Sequence, residues 1–396
     1  MVLASYLTGC TPSLPEGRLI SFADLSGWAD DDHAASFRMF HKFCSFQKNK
    51  KNSNRLENRK TVTVKQDDAL YSICLKALTY PDVIDHHTAR RFFERHFSPF
   101  EVHGDKQNRK SGFLTGYYEP EFEGALEYSS DFRYPLYSRP PDYVSISKED
   151  TIPGVPKGRT AARYIKDKNN NNIFIPLPSR ADIEKGALEN LIQPLVYLKE
   201  AGQAFIIHVQ GSAKIRLPDH SSLRVSFSGR NGYPYTSIGK VLVQKGEIPL
   251  SEMSLERLLQ WLKDSPQKAQ SIMNHNESFI FFRIAEELQD AEGPIGGAGL
   301  PLIPERSIAI DHTLWSYGLP IWLEGSLPAL SKSKTQPLAK LTFALDTGAA
   351  IVGPARADFY WGSGTKAGTL AGTTSQKIRF VVFLPKNINN ISPKEP

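Results

Sequence analysis

The chain has 396 residues, 40% hydrophobic and 23% charged, with a formal net charge of +6. That balance excludes a wholly disordered chain, and the length fits two domains or one domain with a large insertion. No run approaches the ~20 apolar residues of a membrane-spanning helix, and the mild basic excess suits an acidic partner such as nucleic acid, anionic lipid or a carboxylate-bearing glycan.

In chain order, the start reads MVLASYLTGC, where Leu7-Thr8-Gly9-Cys10 has the form of a bacterial lipobox with Cys10 as the lipidated residue. The basic start of a secretory signal is missing ahead of it. Two readings stand: a truncated signal within segment 1–20, or a chance match. The next hundred residues predict helices. Asp residues precede HAASFRMFHKF, where Phe37, Phe40 and Cys44 share one face; Leu70, Ile73, Cys74 and Ala77 share another, and TARRFFERHF follows. Both cysteines therefore sit on apolar faces. They are either buried free thiols or a Cys44–Cys74 disulfide, the second needing an oxidising compartment. The basic run Gln47 to Lys60 lacks aromatics and reads as a solvated loop rather than a nucleic-acid patch.

From Gly112 the texture turns to Gly, Tyr, Phe and Pro, and Pro135, Pro140 and Pro141 break any regular element. Ser179 with Asp182 predicts a helix start, with Pro194 interrupting or ending it. AFIIHVQGS reads as a strand entering a Gly turn, and KIRLPDHSSLRVSFS as a hairpin about Asp219 to Ser222. MSLERLLQWLKDSP reads as an amphipathic helix stopped by Pro266. SFIFFRI, RSIAID, LPIWLE, LTFALD, ARADFYWG and IRFVVFL then predict short strands of a small barrel. The tail is polar.

FALDTGAAIVG carries Asp346-Thr347-Gly348, the local form of an aspartic protease site. The motif occurs once, and 50 residues follow it (396 − 346), too few for a protease half. GPIGGAG resembles a dinucleotide loop, but Pro301 and Pro304 oppose the helix that such a loop requires. Its glycines instead suit turns where backbone approaches a ligand or another strand. Asp85-His86-His87 and the three scattered cysteines have no metal-ligand spacing, so no metal and no cofactor are expected. What remains is Asp311, Asp346 and Asp358 among strands. Any one alone reads as a turn cap. Three in one barrel, with Asp358 set against Phe359-Tyr360-Trp361, predict a desolvated carboxyl of raised pKa that Asp346 pushes further. That is the profile of a general acid for a glycosidic oxygen, and Tyr117, Tyr118, Tyr235 and Trp361 offer rings on which a sugar could stack.

Together SGFLTGYYEPEFEGA, HVQGSAKIRLPD, SGRNGYPYTSIGKVLVQKGEI, GPIGGAGLPLIPERSIAID and LDTGAAIVGPARADFYWGSG resemble the membrane-bound lytic murein transglycosylase A family, from about Phe22 to Leu384. The resemblance implies a mainly β fold with flanking helices: a double-psi β-barrel domain, a second β-rich domain inserted into it, and a glycan groove between them. Placed on this chain, the barrel domain with its N-terminal helices takes 21–135 plus 270–390, and the insert takes 136–269. The implied reaction cleaves the β-1,4 bond between N-acetylmuramic acid and N-acetylglucosamine of peptidoglycan, giving 1,6-anhydromuramoyl products. By motif position Asp358 is acid and then base, Asp346 supports it, and Asp311 is structural or binds substrate. Tyr117, Tyr118, Glu119, Gln210, Ser212, Tyr235 and Trp361 complete the substrate-binding set.

The partners implied are peptidoglycan strands and wall-remodelling proteins, with no nucleic acid. The location implied is the periplasm, with outer-membrane anchoring through Cys10. Two alternatives are a two-carboxylate hydrolase pairing Glu119 with Asp358, and a non-catalytic peptidoglycan-binding protein. Ala349 and Ala213 stand where the family usually has glycine, each adding a methyl near the expected groove.

Overall fold

The structure, a computed structural model, describes residues 14–53, 63–104, 111–147, 150–289, 292–330 and 334–386. Cys10 with its lipobox, residues 54–60 of the basic run and residues 387–396 of the tail lie outside the described residues.

The chain opens with β1 (Gly17–Leu19), α1 (His33–Ser53), α2 (Thr63–Ala77), α3 (His86–His96), β2 (Phe97–Val102) and β3 (Gly112–Glu119). β4 (Glu121–Ala125), β5 (Tyr134–Tyr137), β6 (Tyr143–Ser145), β7 (Ala161–Lys166), β8 (Asn172–Pro176), α4 (Arg180–Glu184) and β9 (Pro194–Leu198) follow. Next come α5 (Ala201–Gln210), β10 (Ser212–Arg216), β11 (Ser222–Arg230), α6 (Ile238–Gln244), α7 (Leu255–Asp264), α8 (Pro266–Met273) and β12 (Ile280–Ile284). The chain ends with β13 (Ser307–Ile310), β14 (Pro320–Pro328), β15 (Thr335–Asp346), β16 (Arg356–Ser363), α9 (Gly364–Thr373) and β17 (Ser375–Pro385). These elements form two compact units: Met1–Gly116, Gly296–Tyr360 and Thr374–Pro396; and Tyr117–Ile295 with Trp361–Thr373.

In the first unit, β17-β14-β15-β13-β16-β3 are neighbours in that order, and a β3–β17 pairing closes them into a six-strand barrel. Closure removes the free edges that an open sheet would present. β13 and β15 run parallel, whereas β14–β15, β14–β17, β13–β16 and β3–β17 are antiparallel. The early residues of β17 pair with β3, and Val381 to Pro385 pair with β2. The helical face read from Phe37 and Phe40 is buried, and Phe40 stacks on Phe343 of β15 with ring centroids 6.2 Å apart. Asp85 caps α3 by accepting from Thr88 N–H at 2.9 Å. Cys44 of α1 and Cys74 of α2 are disulfide-bonded, with Cα atoms 4.8 Å apart. Arg306 ties the N-terminal segment to the barrel, donating to Asp31 Oδ2 at 2.7 Å and to the Leu341 carbonyl at 2.8 Å.

The second unit holds a six-stranded sheet, β12-β11-β10-β4-β9-β5, and a three-stranded sheet, β6-β7-β8. The hairpin forms as expected, with Ile215 opposite Leu223. AFIIHVQ, however, is helix α5 and not a strand. Phe205 and Ile206 pack with α6, α7 and α8, while Ala204 and Ile207 pack with the sheet residues Val196, Ile215 and Phe282. A helix covered on both sides is apolar all round, and a short apolar run cannot be told from a buried strand by periodicity. Gly211, at φ 84°, supplies its left-handed C-terminus.

Other expectations change in the same way. Gln47 to Ser53 is the last part of α1 rather than loop. α4 stops at Glu184, well before Pro194, and Gly186 beyond it takes φ 96°. Pro266 not only ends α7; it is the first residue of α8, where its missing N–H costs nothing. α9 was not expected, because GTKAGTLAGT is built of residues that are mostly small or β-branched and carries little apolar periodicity.

Candidate active site

The barrel register brings two of the three aspartates together. Ala309 of β13 is paired with Asp346 of β15 on one side and Asp358 of β16 on the other. Asp358 keeps part of its surface open to solvent, while the protein packed around its carboxyl pushes its pKa up. Two groups act against that rise. Thr115 of β3 donates its hydroxyl to Asp358 Oδ1 at 2.5 Å, and the Arg356 guanidinium lies near. Arg356 in turn donates to the Thr115 hydroxyl at 2.7 Å. The expectation that Asp346 raises Asp358 gives way to this balance of burial against Thr115 and Arg356.

Sequence reading missed both groups. Arg356 was within reach, since residues two apart on a strand share a face. Thr115 is brought in by barrel closure over 243 positions.

Asp346 is held by backbone: Gly297 N–H and Thr347 N–H both donate to its Oδ1 at 2.8 Å. This explains the glycine run. A Cβ on Gly297 would lie 2.4 Å from the Tyr317 hydroxyl, and one on Gly296 would lie 2.5 Å from the Leu345 carbonyl. The glycines let that loop close on β15. Burial and the charge of Asp346 together push the Tyr317 phenol upward. Asp311 is buried and accepts from the Thr313 N–H and hydroxyl at 3.1 and 2.6 Å and from Gly353 N–H at 2.8 Å. Those bonds fix two turns of the barrel.

The other residues singled out lie in the second unit. Gln210 accepts from Tyr118 N–H at 3.1 Å, which joins two of them. Tyr117 and Tyr235 are half-buried. Tyr118 and Trp361 were expected as exposed stacking rings and are buried, at 6% exposure each. Gly368 of α9 packs so closely on the Tyr118 ring that a Cβ there would come within 2.8 Å. Ser212 is also buried.

Glu119 is fully buried. Arg224 Nε lies 2.8 Å from its Oε1 at ion-pair distance without hydrogen-bond alignment, while Arg224 Nη2 and the Ser363 hydroxyl donate to Oε2 at 3.2 and 2.7 Å. Burial pushes Glu119 up, and Arg224 and Ser363 pull it back. This is a structural ion pair, which removes Glu119 as the free second carboxylate of a hydrolase. Of the two departures from glycine, Ala213 is buried in the sheet core of this unit and Ala349, in the first unit, is exposed. The Ala213 methyl therefore fills core rather than groove. Among the described residues, no cluster of three His, Cys, Asp or Glu side chains could hold a metal, and no helix is long and apolar enough to cross a membrane.

Known proteins share both the sequence and the architecture. Residues 113–283 match the MltA specific insert domain, and residues 306–384 match the 3D domain. Membrane-bound lytic murein transglycosylase A of Vibrio cholerae is 32% identical over 275 residues, covering 68% of this chain and 64% of that protein. The chain thus spans somewhat under two thirds of that curated relative's length. The crystal structure of membrane-bound lytic murein transglycosylase from Agrobacterium tumefaciens superposes with a TM-score of 0.78 at 32% identity, over 94% of this chain and 98% of that one. The structure of E. coli MltA with bound chitohexaose superposes with a TM-score of 0.64 at 25% identity, over 96% and 97%.

Proposed function

This chain belongs to the membrane-bound lytic murein transglycosylase A family, and on that premise we propose that it cleaves the β-1,4 MurNAc–GlcNAc bond of peptidoglycan, with Asp358 as acid and then base. The observation that carries the reading is Asp358, a half-buried residue whose carboxyl is raised by burial and bonded to a neutral hydroxyl. A carboxyl in that state keeps a proton to give.

In the first step Asp358 protonates the leaving GlcNAc oxygen as the C1–O bond breaks. The resulting carboxylate is steadied by the Thr115 hydroxyl and the nearby Arg356 charge. In the second step Asp358 takes the proton of the muramoyl C6 hydroxyl, whose oxygen bonds to C1 and closes the 1,6-anhydro ring. Asp358 ends protonated, ready for another turn, and no water is consumed. An internal nucleophile held close has a high effective molarity, so a single carboxyl suffices. Asp346, held by two backbone N–H groups, supports charge development on the same face of the barrel.

The parallel β13–β15 pair inside an otherwise mostly antiparallel ring supports reading the barrel as double-psi. Residues 136–269, read from the sequence as the inserted β-rich domain, share a sheet with β4, β5 and β12, so the insert is read as extending to those strands. Tyr117, Tyr118, Gln210, Ser212, Tyr235 and Trp361 are read as residues that shape glycan binding. Given Tyr118, Ser212 and Trp361 as they lie, their part is to support a groove wall from within. The location that goes with this function is the periplasm at the outer membrane, with peptidoglycan as partner and Cys10 as anchor.

Digestion of purified sacculi followed by mass spectrometry tests the reaction. Anhydromuropeptides that disappear in Asp358→Asn are the expected result. Reducing-end products would replace the reading with hydrolysis, and binding without soluble products would replace it with a non-catalytic role.

A further inference from the structure

We propose that the first unit carries a second site, independent of the glycan-cleaving one, that binds a phosphate-type oxyanion where the ends of α2 and α3 meet the residue after β17. A cavity of about 430 Å³ lies there, with Ile73 as its apolar part and Lys76, Arg95, His96 and Lys386 as its cationic part. The hydroxyl-bearing residues Thr79 and Tyr80 also line it.

The local sequence explains part of this cluster. Lys76 sits in the last turn of α2, and Arg95 and His96 in the last turn of α3, where cations offset the helix dipole. That role is already met in part. Lys386 donates to the Glu94 carbonyl at 2.7 Å, and the Thr79 hydroxyl donates to the Lys76 carbonyl at 2.8 Å.

Two features go further. Among the described residues, neither Lys76 nor Arg95 has a carboxylate partner, although both are exposed and free to turn into the cavity. Burial makes the His96 imidazole harder to protonate, and the charged groups that face it, Lys76, Arg95 and Lys386, are all positive and add to that effect. Cations crowded on one cavity without an anion repel one another, and a bound oxyanion removes that cost. Phosphate fits better than a lone carboxylate, because it brings more acceptor oxygens and up to two charges to a fork of guanidinium, ammonium and imidazolium donors.

The test uses the full chain at low salt. The His96 ring resonance, assigned by its loss in His96→Gln, is followed across pH with and without inorganic phosphate. Phosphate is expected to raise the protonation midpoint of His96 by about one unit. The double variant K76A/R95A is expected to weaken phosphate binding by at least ~10-fold while leaving anhydromuropeptide release unchanged.

A second arm separates the sources of the oxyanion. The protein is floated with phosphatidylcholine vesicles, with and without about one fifth phosphatidylglycerol. Binding only to the anionic vesicles, lost in K76A/R95A and competed by phosphate, assigns a lipid headgroup. A phosphate-dependent His96 midpoint without vesicle binding assigns free phosphate. A His96 midpoint that phosphate leaves unmoved, or a double variant that binds phosphate like the parent, overturns the proposal. The His96 measurement needs no variant to fold beyond the one used for assignment.

Discussion

The two units each bury a carboxyl, and they settle it in opposite ways. Glu119 in the second unit is fully enclosed and answered by a full opposite charge from Arg224, itself anchored to the Glu292 carbonyl at 2.6 Å. Asp358 in the first unit stays partly open and is answered mainly by a neutral hydroxyl, with Arg356 bonded to that hydroxyl. Burial raises both. The consequences differ: an acid locked to a cation holds a fold together, whereas an acid held by a hydroxyl can still gain and lose a proton.

The sharpest way to break the comparison is to remove each acid's function in turn. Asp358→Asn is expected to lower anhydromuropeptide release by roughly 10³-fold or more, with an unchanged circular dichroism spectrum. Arg224→Ala is expected to leave a buried carboxyl without its charge and to cost about 3–5 kcal/mol of stability, read by urea unfolding. The activity of the fraction that stays folded should persist. If Arg224→Ala instead left stability untouched, the structural assignment of Glu119 would fall.

His33 sharpens the contrast with a group that has no hydrogen-bond partner for either ring nitrogen among the described residues. Burial lowers its pKa to about 4. A histidine that is harder to protonate when folded stabilises the fold fully above its unfolded value of about 6.5. That stability is lost as pH falls from there to about 4 and amounts to on the order of 3 kcal/mol. Unfolding midpoints measured from pH 7 to pH 4 should drop accordingly, and His33→Phe should flatten that dependence.

The smallest effect expected is at Thr115. Its hydroxyl lowers the Asp358 pKa, so Thr115→Val should raise it further. Activity that needs protonated Asp358 falls as pH rises through that pKa, and the variant's alkaline limb should move to higher pH. The maximal rate should fall by about 2- to 10-fold through lost positioning. A limb that moves downward would contradict the role given to Thr115.

Much of this was legible along the chain wherever a local rule governed the outcome. The capped N-terminus of α4, the amphipathic helix α7, the Ile215–Leu223 hairpin and the strands around Asp346 and Asp358 follow from side-chain period and turn chemistry, which act over a few residues. The candidacy of Asp358 itself came from its neighbours in sequence and from motif order. Barrel closure, the Thr115–Asp358–Arg356 arrangement, the Glu119–Arg224 pair and the helical state of α5 were decided by tertiary structure. Each depends on what packs against a residue from tens to hundreds of positions away. Burial, which pushes the pKa of Asp358 and Glu119 alike upward, is a property of that packing and not of the residue that carries it.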